Sequence, residues 1–156
     1  MQKDSEYFRA NVGAAIVDGR GRLLAFERLR GSEGERQLPQ GGIQPGEDPR
    51  TALFREVLEE TAIPAAKLRV LDEVEEWLGY ELPENYRDAK TERGQVQKWF
   101  LLQFNGTDGD ITPDQKEFSS WEWLTATQLI EAAAPFRRVV YRRVCERFSG
   151  TIANDA

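Results

Sequence analysis

Helices interleaved with strands along a chain of 156 residues predict an α/β or α+β domain. Residues 10–17, "ANVGAAIV", and 95–104, "QVQKWFLLQF", are apolar runs of strand length, the second rich in aromatic residues. Leu53, Phe54, Val57 and Leu58 fall on one side of a helix. Residues 136–148, "FRRVVYRRVCERF", have the pattern of a second amphipathic helix.

The elements follow in order. "ANVGAAIV" and "RLLAFER" (22–28) read as two strands, and "DGRG" between them as a turn with glycines available for positive φ. "LRGSEGER" is a polar loop, and "LPQGGIQPGEDP" is dense enough in Gly and Pro to be a shaped loop. Asp48 caps the helix that follows, Pro49 suits its first position, and Pro64 stops it. "LRVLDEVEEWLGYEL" (68–82) reads as a strand with an irregular exit, and "QVQKWFLLQF" as a strand buried in its second half. "NGTDGD" is a turn and "FSSWEWL" (118–124) alternates like a strand. Thr125 caps a helix over 126–133, Pro135 breaks it, and the amphipathic helix of 136–148 comes last. Residues 149–156 read as a frayed tail. There is no internal repeat and no long linker, so one domain is expected over 1–156.

Composition narrows the chemistry. The chain has no histidine, which removes imidazole general bases, Ser-His or Cys-His nucleophile pairs and His-ligated zinc. Any metal site must use oxygen ligands, which select hard cations such as Mg²⁺, Mn²⁺ or Ca²⁺. The single cysteine, Cys145, excludes an internal disulfide. No apolar run reaches the roughly 18–20 residues of a membrane span, and "MQKDSEYF" lacks the apolar core of a signal peptide. A cytoplasmic protein that does not enter membranes is expected, either monomer or homodimer. The net charge of −6 argues against broad, nonspecific nucleic-acid binding, but not against an anionic substrate that arrives with metal.

The segment "FREVLEETAI" (54–63) crowds Glu56, Glu59 and Glu60 together. Like charges three and four apart repel at about 0.2–0.5 kcal/mol per pair, and two of these acids sit where the helix dipole disfavours negative charge. On a helical wheel the three lie within about 100° of one another, beside the apolar stripe. Arg55 stands four residues before Glu59, near enough to orient it, and Glu47 can join from the glycine-rich loop. By itself "EVLEE" is most simply a solvated face. With the loop before it, it reads instead as a set of carboxylates that can share divalent cations and polarise a phosphoryl group.

The span from Gly41 through Glu47 to "REVLEETAI" resembles the signature of the Nudix hydrolases, G-x5-E-x7-R-E-U-x-E-E-x-G-U, where U is bulky and apolar. Gly41, Glu47, Arg55, Glu56, Val57, Glu59, Glu60 and Ile63 match, and Ala62 stands where the family has glycine. "PQGGI", "GQVQKWF", "EFSSWEWL" and "FRRVVYRRV" extend the likeness over residues 7–148, toward the subgroup of bacterial RNA pyrophosphohydrolases and dinucleoside polyphosphate hydrolases.

The resemblance implies an α/β/α sandwich with a mixed sheet and hydrolysis within a polyphosphate attached to a nucleoside. It implies Mg²⁺, with Mn²⁺ as the alternative, held by Glu56, Glu59 and Glu60, with Gly41 and Glu47 of the motif counted in the same metal site. Arg55 would orient a carboxylate, and Glu117 in "KEFSSW" would add a ligand or base from outside the motif. Which glutamate takes the proton stays open. Arg9, Arg28 and Lys98 match basic positions along the phosphate path, Gln40 and Gln95 lie in the marker segments, and Phe136 matches an aromatic that stacks on a base. Each of these side chains can also be read as plain surface or core.

Two substrates fit the resemblance, the 5′ end of triphosphorylated RNA first and a dinucleoside polyphosphate such as diadenosine tetraphosphate second. A binding module without catalysis is a third reading, which the intact set of acids counts against. Arg36 stands before "QLPQGG" where the subgroup often has tryptophan, and the polar loop before it is longer, both of which bear on substrate preference.

Overall fold

The computed structural model describes residues 7–87 and 93–155. Eight strands form one sheet: β1 (Phe8–Val17), β2 (Leu23–Arg28), β3 (Arg36–Gln37), β4 (Gln40–Gly42), β5 (Leu68–Glu73), β6 (Leu78–Glu81), β7 (Gly94–Phe104) and β8 (Phe118–Leu124). The main path runs β3-β2-β1-β7-β5, with β4 on β1, β6 on β7 and β8 on β2. β1 and β7 pair parallel and the other pairs are antiparallel, so the sheet is mixed.

Strand alternation sends successive residues of the central strands to opposite faces. Val12, Ala14 and Ile16 of β1 and Phe100 and Leu102 of β7 pack with Ala52, Leu53 and Val57 of α1 (Pro49–Thr61). Ala15, Val17, Trp99 and Leu101 face the other way, onto Leu129 of α2 (Ala126–Ala132) and Val140, Tyr141 and Val144 of α3 (Pro135–Arg147). The result is an α/β/α sandwich, with α1 on one face and α2 and α3 on the other.

The helix ends follow local chemistry. Asp48 Oδ1 accepts from the backbone N–H groups of Arg50 at 3.0 Å and Thr51 at 3.1 Å, with Pro49 first in α1. Thr125 and Gln128 cap α2 reciprocally, each side chain bonding the other's backbone N–H.

Four expectations differ from the structure. The single strand expected over 68–82 is two, because Val74 turns inward to donate its N–H to the Trp99 carbonyl at 2.9 Å, and β5 and β6 then pair separately with β7. Part of the glycine-rich loop is strand β4, paired with β1 through Gly41 and Val12. Leu58 is 51% exposed, whereas Glu60 is 4% exposed, so the buried face of α1 is rotated toward the acids. Residues 149–155 are not frayed: Ile152 is 3% exposed, and Ala153 bonds to Gly21 and Ala126 through its backbone. Ala156 lies outside the described residues.

Candidate active site

The pairing of β4 with β1 carries Gln40 and Gly41 to the second half of α1. The Gln40 N–H donates to Glu60 Oε1 at 3.1 Å, and a Cβ on Gly41 would overlap the Glu56 carboxylate. Glycine at 41 is therefore a matter of space: the strand passes where an acid must fit.

Arg55 organises the acids around it. Its Nε and one terminal nitrogen hold both oxygens of Glu47, each at 2.8 Å, while that terminal nitrogen also reaches the Gly42 carbonyl at 2.8 Å. The other terminal nitrogen donates to Glu56 at 2.7 Å and to Glu59 at 3.5 Å. Glu47 is thus a partner of Arg55, and the guanidinium holds its pKa down to about 2. Burial pushes the Glu56 pKa up against the pull of Arg55. Glu60 is shifted well above the ordinary carboxylate range, first by burial and then by the charge of Glu117, with which its side chain is hydrogen-bonded.

Glu56, Glu59, Glu60, Asp114 and Glu117 line one cleft of about 500 Å³. Glu117 comes from the turn before β8, so sequence-distant elements bring the acids together. No three acidic or cysteine side chains among the described residues already stand in metal-holding positions. Glu56 and Glu59 are turned onto Arg55, and Glu60 onto Gln40 and Glu117. The donor set nevertheless fits a hard divalent cation: all the donors are oxygens, they share one cleft, and the most buried of them, Glu60, is pushed toward its neutral form by burial and by the Glu117 carboxylate.

A second hollow of about 640 Å³ adjoins this cleft and shares Lys116 and Glu117 with it. Its wall includes Arg28, Gln37, Gln40, Tyr86, Gln95 and Arg137. Gln40 and Gln95 are bonded to each other at 3.1 Å, the Tyr80 hydroxyl donates to Gln95 at 2.6 Å, and Gln97 donates to Gln40 at 2.7 Å. The amides so fixed form a rigid polar lining.

The other residues anticipated for substrate are placed less uniformly. Arg28 lies 5.8 Å from the Tyr86 ring centre and 3.8 Å from Glu35, with its pKa lowered by burial and by Arg137. Phe136 does not line the hollow: its ring packs against Tyr80 and Tyr86, with the Arg137 guanidinium 4.5 Å from its centre. Arg9 rests against Gly42, outside both hollows. Lys98 is held elsewhere, donating to the Val74 carbonyl at 2.6 Å and pairing with Glu73 at 2.9 Å.

Sequence reasoning passed over Glu35, Tyr86, Lys116 and Arg137. Arg137 had a signal: it stands one helical turn before Tyr141, on the buried face of α3, where a cation needs a partner. That partner is Glu35, at 3.4 Å.

Residues 7–144 match the NUDIX domain family. The chain belongs to the Nudix family. Among its relatives, the RNA pyrophosphohydrolase of Roseobacter denitrificans is 40% identical, over 90% of this chain and 91% of that protein. The chloroplastic Nudix hydrolase 26 of Arabidopsis thaliana is 36% identical, over 96% of this chain and 73% of that protein. Solved structures share the Nudix fold. A C. elegans Ap4A hydrolase superposes with a TM-score of 0.70 at 22% identity, over 91% of this chain and 98% of that one. The E. coli dihydroneopterin triphosphate pyrophosphohydrolase gives 0.73 at 19% identity, over 91% and 99%.

Proposed function

We propose that this Nudix chain is a divalent-metal-dependent pyrophosphohydrolase that removes pyrophosphate from the 5′-triphosphate end of RNA. One observation carries the reading: a carboxylate cleft opens directly into an arginine- and amide-lined hollow, with Glu117 on the wall of both. Relatives about 40% identical over nine-tenths of the chain, named RNA pyrophosphohydrolases, favour RNA as the substrate.

Glu56, Glu59 and Glu60, with Glu117 across from them, are the residues that would hold Mg²⁺, or Mn²⁺ in its place. When bound, the cation supplies charge neutralisation at the phosphates and acidifies water. Arg55 aims Glu56 and Glu59 and keeps the glycine-rich loop against α1. A carboxylate of this set accepts the proton of the attacking water, the natural base in a chain without histidine. The water oxygen bonds to phosphorus, the anhydride bond breaks, and pyrophosphate leaves with its electron pair. Arg28 and Tyr86 receive the nucleoside end, with Phe136 bracing Tyr86 from behind. Lys98 has no part in this reading.

The experiment is hydrolysis of a 5′-triphosphate oligoribonucleotide beside diadenosine tetraphosphate, with Mg²⁺ and with chelator. Faster metal-dependent release of pyrophosphate from the oligonucleotide is expected. Faster cleavage of the dinucleotide would reassign the substrate, and no cleavage of either would remove the enzymatic reading.

A further inference from the structure

We propose that Lys116 is a substrate-phosphate contact, a cation that bridges the carboxylate cleft and the basic hollow. The inference rests on the polyphosphate reading above and names the residue that receives the chain where it passes from one hollow to the other.

Lys116 and Glu117 are the two residues shared by both hollows. A phosphate chain that leads from the acids toward a nucleoside end at Arg28 must pass them. Of the four arginines in the wall of the basic hollow, Arg28, Arg30, Arg87 and Arg137, the first and last face the Glu35 carboxylate, at 3.8 and 3.4 Å, so part of their charge is already balanced. Lys116 is exposed and makes no ion pair with any described residue. It can turn toward an incoming anion without breaking a bond in the protein.

The turn that presents it is fixed. Asp114 Oδ1 accepts from the backbone N–H groups of Lys116 at 2.9 Å, Glu117 at 2.9 Å and Phe118 at 3.1 Å. The Glu117 carbonyl accepts from the Leu29 N–H at 2.8 Å, tying the turn to the sheet beside Arg28. Gln115 adopts a φ of 60° and its side chain bonds the Ser119 carbonyl at 3.1 Å. A segment held by this many bonds brings an acid and a cation, adjacent in sequence, to the junction together. The acid belongs to the metal set. The ammonium beside it offsets the repulsion a phosphate chain meets on passing Glu117.

The test is kinetic. Lys116→Ala and Lys116→Arg are compared with the unaltered protein on a 5′-triphosphate oligonucleotide in Mg²⁺. Binding of a non-hydrolysable nucleoside triphosphate in Ca²⁺ is measured alongside. Lys116→Ala is expected to raise KM and weaken analogue binding by about tenfold to a hundredfold, the range of one lost charge-assisted hydrogen bond, with kcat changed much less. Lys116→Arg is expected to recover most of the loss. Thermal unfolding should not move, since the side chain is exposed. Equal KM and equal analogue binding in Lys116→Ala would overturn the inference while the unaltered enzyme still turns over. Loss of activity together with a lowered melting temperature would also overturn it, by assigning Lys116 to the fold. An unaltered protein that neither binds nor hydrolyses polyphosphates would instead overturn the functional reading on which the inference stands.

Discussion

Arg55 grips both carboxylate oxygens of Glu47, each at 2.8 Å, across the junction between the glycine-rich loop and α1. The same guanidinium reaches Glu56 and Glu59. Glu47 is thereby the residue that fixes the cation which aims the cleft acids, and its low pKa has a consequence for stability. The folded carboxyl titrates near 2 and the unfolded one near 4.5. Between these values the unfolded chain binds more protons, so stability is fully present above about pH 4.5 and is lost as pH falls toward 2. Glu47→Gln should melt lower than the unaltered protein at pH 7, with the gap closing on acidification. Melting temperatures across pH 2.5 to 7 check this, and a gap independent of pH would contradict it.

Ala62 ends α1 in the left-handed region, at φ 67°, its N–H bonded to the Leu58 carbonyl. An L-residue there carries a strain of about 1–2 kcal/mol that glycine does not, partly offset by glycine's freer unfolded chain. Ala62→Gly should stabilise the protein by about 0.5–1 kcal/mol in urea unfolding and leave Mg²⁺-dependent turnover in place. Destabilisation would mean that the alanine methyl packs usefully.

Arg137 and Glu35 form a buried pair, 5% and 6% exposed, at 3.4 Å. Removing one partner of such a pair costs about 3–5 kcal/mol, because the other charge stays buried and uncompensated. Arg137→Met should fall at or below that range, since Arg28 still faces Glu35. Adding Glu35→Gln should recover much of the loss. A double variant as unstable as the sum of the singles would show that the two charges are not coupled.

Much of this was legible in the sequence, wherever the cause is local. Asp48 with Pro49, and Thr125 with Gln128, are capping chemistry readable from a few residues. The Arg55 link to Glu59 is helical spacing. The depth of Glu60 was not legible, because its burial depends on the pairing of β4 with β1, which a glycine-rich loop does not announce. Lys98 shows a limit of another kind. Gln95 lines the hollow, whereas Lys98, three positions on in the strand, faces the other way and pairs with Glu73. The tail over 149–155 is anchored by backbone bonds to Gly21 and Ala126, which polar composition does not reveal.

The central claim is that buried acidity at Glu60 burdens the fold until a divalent cation offsets it. Its folded pKa is raised, so above the unfolded value of about 4.5 the native carboxyl holds a proton the unfolded chain has lost. Stability therefore falls as pH rises from there to the folded pKa, and the burden is full above it. The direct measurement is thermal unfolding at pH 7.5 of the unaltered protein and Glu60→Gln, each with chelator and with saturating Mg²⁺. The account predicts that Glu60→Gln melts higher than the unaltered protein in chelator, and that Mg²⁺ raises the unaltered protein far more than the variant. A variant that melts lower in chelator, with Mg²⁺ shifting neither protein, would contradict it.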